Sequence, residues 1–153
     1  MHVHFGATGT VPLRLAELFF TDEGLWIVEY GTFTPLFGLA SGGPSRAADR
    51  MARTFAEDGF RAVRERGDRV VHLAYEDVER VVCHDGGRLA RERVAVHVAE
   101  GPPYAYRVHA DVDLEALAAG LAAFGPTAAL PVAVRSGVGF APRSSLRRFL
   151  AGR

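Results

Sequence analysis

The chain has 153 residues, equal numbers of basic and acidic side chains, and 48% hydrophobic residues, enough for one sizeable core and the basis for expecting a single domain over 1–153. One cysteine, Cys83, excludes an internal disulfide framework and a multi-cysteine zinc site. No run approaches the roughly 18–20 apolar residues of a membrane span, and Met1-His2-Val3-His4-Phe5 lacks the basic region and apolar run of a secretory signal, so a soluble cytoplasmic protein is expected.

Leu13 to Phe20 reads as a strand, Thr21-Asp22-Glu23-Gly24 as a turn, and Leu25 to Tyr30 as a second strand, because both runs are rich in β-formers and Gly24 suits a turn. Alternation places Trp26, Val28 and Tyr30 on one face of the second strand and Leu25, Ile27 and Glu29 on the other. Thr32 to Phe37 is predicted to be a third extended piece, at an edge because of Pro35. After the linker at 40–44, Ala48, Met51 and Phe55 make one helical stripe and Arg46, Arg50 and Arg53 the opposite one. Gly59 is expected to end or bend this helix, and a break there lets Phe60 turn inward. Strands follow at 69–74, 78–84, 93–99 and 104–109. Asp113 caps a helix with Leu114, Leu117, Leu121 and Phe124 on one face, stopped by Gly125-Pro126. A short strand near Val132 to Arg135 and a terminal helix from Ser145 complete the reading.

Seven extended segments and then a capped helix is an α+β order that resembles a pleckstrin-homology-like (PH-like, GRAM-like) domain. Two stretches carry the likeness: Leu18-Phe19-Phe20-Thr21-Asp22-Glu23-Gly24-Leu25-Trp26-Ile27-Val28, similar to the opening strand–turn–strand, and Tyr75-Glu76-Asp77-Val78-Glu79-Arg80-Val81, similar to the entry into a middle strand. The resemblance covers 11–125. It implies a seven-stranded antiparallel half-barrel plugged by the helix at 113–124, with a helical insertion at 44–66 and a C-terminal extension at 126–153. It further implies a non-catalytic binding or scaffolding module. Phosphoinositide binding is not expected, because the hairpin loop bearing Asp22 and Glu23 would repel phosphate.

The sequence singles out several groups. His2 and His4 would share one face of a strand, as metal ligands do, and a third ligand would have to come from His72, His97, His109 or an acid. Cys83 and His84 would point to opposite faces of a strand and so make no nucleophile–base pair. Whether His97 and His109 meet depends on hairpin register. Residues 116–153 hold five arginines and no acid, leaving the remainder at −5. Arg135, Arg143, Arg147 and Arg148 are therefore the candidate partner- or anion-binding residues. No catalytic residue, metal ligand or cofactor is assigned. The leading expectation is a module that binds a protein partner or self-associates. A small metal-dependent enzyme using the N-terminal histidines, and a weak nucleic-acid or anionic-surface binder using the C-terminal arginines, are the alternatives.

Overall fold

The computed structural model describes residues 1–9, 12–34, 43–88, 90–109, 112–124 and 130–137. The chain is α+β. Its strands are β1 (His2–Thr8), β2 (Leu13–Thr21), β3 (Gly24–Phe33), β4 (Arg69–Leu73), β5 (Val78–His84), β6 (Arg93–Val98), β7 (Tyr104–Val108) and β8 (Val132–Arg135). Helix α1 (Gly43–Arg66) lies between β3 and β4, and α2 (Leu114–Phe124) between β7 and β8. The strands form one sheet in the order β4-β3-β2-β1-β7-β6-β5-β8. Two antiparallel meanders, β1 to β4 and β5 to β7, are joined by the β1–β7 pair, and only β8 runs parallel to its neighbour.

Alternation along β2 explains the layers. Ala16, Leu18 and Phe20 enter a core with Leu25 and Ile27 of β3, Val81 and Cys83 of β5, and Tyr106 of β7. Leu114, Leu117 and Leu121 of α2 fill the same core. Residues from distant positions in the strand order meet here, which a flat sheet would not allow; the sheet curls about this core. Leu15 and Phe19 point the other way, into a second core with Val28 and Tyr30 of β3 and Met51 and Val63 of α1. The strand therefore reads as a nearly unbroken apolar run because both of its faces are covered.

Local chemistry sets the helix boundaries and bends. Asp113 accepts the backbone N–H groups of Glu115 and Ala116 at 3.0 and 2.9 Å, capping α2 as expected. Gly59 breaks α1 with φ 80° and ψ −177°, backbone angles open essentially to glycine alone. Phe60 consequently turns inward, its ring 4.9 Å from Phe19 and 5.8 Å from Trp26. No helix among the described residues is long and apolar enough to cross a membrane.

Two differences from the sequence reading matter. The first strand is His2–Thr8, ahead of the expected start at Leu13, so the Thr21–Gly24 turn is the second strand connection. Thr32 and Phe33 continue β3 rather than opening a separate strand, because the register shift between Arg14 and Leu15 leaves Gly31 as a bulge and pairing resumes beyond it. Residues 35–37 and the expected helix from Ser145 lie outside the described residues.

Candidate metal centre

The β1–β2 ladder builds the site. His2 pairs with Phe19 and Val3 with Leu18, but the next pair is Gly6 with Ala16. His4 and Phe5 thus stand opposite the single residue Glu17, a bulge in which Phe5 takes φ 56°. Glu17 lies on the face covered by α1, between Leu15 and Phe19 of the second core. Its side chain is only 1% exposed.

A buried carboxylate must be compensated, and here the compensation comes from four donors. His2 Nε2 lies 2.7 Å and His4 Nδ1 2.9 Å from the same oxygen, Oε2. Tyr30 donates its hydroxyl to Oε1 at 2.5 Å. The Phe5 N–H, turned inward by the bulge, reaches both oxygens at 3.4 Å. Burial is the largest single influence on Glu17 and pushes its pKa upward, but the hydrogen bonds from His2, His4 and Tyr30 together outweigh it and hold the carboxyl below its ordinary value. The same hydrogen bond raises His4, against the opposing effect of its partial burial. Burial, then the charge of Glu17, pushes the Tyr30 phenol far up, so it remains a donor.

The imidazoles reach solvent, with side-chain exposures of 21% for His2 and 29% for His4. Phe19 stacks on His2 at 4.2 Å with the rings 5° from parallel, and Phe55 of α1 flanks it at 4.9 Å. The ring positions are thus fixed on one side and open on the other. His2, His4 and Glu17 each offer a ligand atom, all within 4.8 Å of one another. Two imidazole nitrogens and a carboxylate oxygen form a donor set used for zinc and for non-haem iron. An ion at about 2.0–2.2 Å from each donor would replace the protons now shared with Oε2, with a small opening of the cluster.

No family model matches the sequence, and no curated protein or solved structure matches the chain.

The other sequence candidates fall elsewhere. His72 stacks on Trp26 at 4.1 Å at the sheet edge, with Nε2 3.1 Å from the Glu23 carbonyl oxygen. His97 opposes Arg80 in the β5–β6 ladder, its Nδ1 3.2 Å from Arg80 Nη2. His109 stacks on Phe5 at 5.0 Å, just beyond the bulge. The β6–β7 register puts His97 and His109 at opposite ends of their hairpin. Cys83 is buried in the core, its thiol pushed up to about 11 by burial, while His84 points away from it. Arg135 is exposed on β8 beside His84, whose pKa is lowered by burial and by Arg93 and Arg135. Arg143, Arg147 and Arg148 lie outside the described residues.

Glu17 is the member that sequence reasoning left unnamed. The available signal was a lone carboxylate inside Leu13-Arg14-Leu15-Ala16-Glu17-Leu18-Phe19-Phe20. A charge in the middle of such a run demands a buried partner, and the His-x-His pair was the nearest set of side chains able to supply one.

Proposed function

We propose that this chain is a PH-like binding module whose ligand is a divalent transition-metal ion, held by His2, His4 and Glu17. One observation carries the reading: two imidazole nitrogens converge at 2.7 and 2.9 Å on one oxygen of a buried carboxylate. A second buried glutamate, Glu29, sharpens the contrast. Its oxygens meet the Tyr106 hydroxyl at 3.2 Å and the guanidinium groups of Arg14 and Arg69 at 3.6 and 3.8 Å. Arginine carries a permanent charge and binds no metal, so Glu29 has the partners of a structural ion pair. Glu17 has partners whose nitrogens become ligands once deprotonated. Tyr30 fixes the non-shared oxygen, the outer-shell support that carboxylate ligands require.

The PH-like part of the reading is supported by the seven strands preceding α2 and by the packing of α2 into the core of the curled sheet. Binding without turnover follows from the same likeness. A phosphoinositide remains unexpected on that reading, now for a different reason: the segment joining β1 to β2 is Gly9-Thr10-Val11-Pro12, which has no basic residue to hold phosphate.

The test is calorimetric titration of metal-free protein with Zn²⁺, with the visible spectrum of Co²⁺ as a coordination probe. Saturable binding of one ion is expected. Glu17→Gln and His4→Ala should each weaken it by about tenfold to a hundredfold or more. Absence of saturable binding, or equal affinity in Glu17→Gln, would overturn the assignment.

A further inference from the structure

A second feature lies against the metal centre without belonging to it. A cavity of about 420 Å³ opens between α1 and the end of β3, within the range of roughly 300–1,000 Å³ usual for small-molecule sites. Its apolar walls are Ala47 and Met51 of α1 and the ring of Tyr30. Its polar groups are Arg50, Thr54 and Arg66 on the helix side and Asp68 on the other.

The charges in this cavity are unevenly committed. The Asp68 carboxylate accepts the Gly31 N–H at 2.6 Å, so its charge is directed at the bulge of β3. Arg66 is oriented by its Nη1 donating to the Thr54 hydroxyl, while its other amino group stands 3.9 Å from Asp58. Arg50 adds a second guanidinium to the lining. Arg50 and Arg66 against Asp68 and Asp58 balance in number, but Asp68 is bonded to the Gly31 N–H, and among the described residues no carboxylate pairs with Arg50, so a guanidinium is left to meet an anion here. Guanidinium groups favour planar bidentate acceptors, and the helix side supplies an apolar bed for a short chain.

We propose that this cavity binds a small organic carboxylate, its head group held by Arg50 and Arg66 and its apolar body lying against Ala47, Met51 and Tyr30. The candidate metal site takes no part. Tyr30 is the shared wall: its ring lines the cavity while its hydroxyl remains on Glu17.

The experiment uses the full chain stripped of metal with a chelator, and octanoate as the probe, with octylamine as the charge-reversed control. Octanoate should bind saturably and shift the amide resonances of Gly31 and Ala47, while octylamine should not bind. Arg50→Glu, at an exposed helix position, should weaken octanoate by about tenfold or more. Ala47→Phe, which fills the cavity, should do the same. No saturable binding, equal binding of octylamine, or unchanged affinity in Arg50→Glu would overturn the proposal. Because the titration is metal-free, its outcome is independent of whether Zn²⁺ binds.

Discussion

At the scale of single residues, Glu17 and His4 make the folded state respond to pH in two opposed ways. The folded pKa of Glu17 lies below its ordinary 4.5, so its stabilisation is present above 4.5 and is lost as pH falls through the lower folded value. The folded pKa of His4 lies above its ordinary 6.5, so its stabilisation is present below 6.5 and is lost as pH rises through the higher folded value. Both contributions are complete only between about 4.5 and 6.5. The share of metal-free stability that comes from the His4–Glu17 pair, read as the melting difference between the parent and His4→Ala, should accordingly be largest in that window. Zn²⁺ should reverse the trend on the alkaline side, since the ion competes with the histidine protons and binds more tightly as they leave. Melting curves from pH 4 to 9, with and without Zn²⁺, check this. A metal-free profile that His4→Ala leaves unchanged above pH 6.5 would count against the His4–Glu17 coupling.

At the scale of elements, the break in α1 has the clearest consequence. Gly59 holds angles that a side chain resists, yet a Cβ there would meet no atom within 4 Å. Gly59→Ala therefore isolates the backbone cost, about 1–3 kcal/mol, without a steric clash to confuse it. Urea denaturation should show that loss. If the helix straightens instead, Phe60 withdraws from Phe19 and Trp26, and Trp26 fluorescence changes in the folded state. This bend was legible because the apolar stripe of Ala48, Met51 and Phe55 changes phase at Phe60, which leaves a glycine as the only place to turn. The α2 cap was legible for an equally local reason, an Asp before an apolar periodic run. β1 was not. His2-Val3-His4-Phe5 alternates over only four residues before Gly6, too short a run to announce a strand, and its pairing with β7 joins Gly6 to the distant Val108. The bulge that aims Phe5 at Glu17 is equally a product of pairing, so half of the candidate site was visible as His-x-His and the carboxylate half only as an unexplained charge.

At the scale of the whole molecule, one sheet serves two cores that share β2 back to back. Phe20 belongs to the core closed by α2, and the adjacent Phe19 to the core closed by α1, where it stacks on His2. The candidate metal site therefore depends directly on only one of them. Leu121, fully within the α2 core, is remote from the His2–His4–Glu17 cluster in packing. Leu121→Ala should cost about 2–5 kcal/mol of stability and leave the Zn²⁺ affinity of the remaining folded protein unchanged. Phe55 is only partly buried, but it touches both His2 and Phe19. Phe55→Ala should cost less, about 1–2 kcal/mol, yet weaken Zn²⁺ binding severalfold, because His2 loses the ring that fixes its edge. Denaturation and metal titration of the two variants under the same conditions compare the effects directly. If Leu121→Ala weakens Zn²⁺ as much as Phe55→Ala does, the sheet transmits strain between its faces and the two cores act as one.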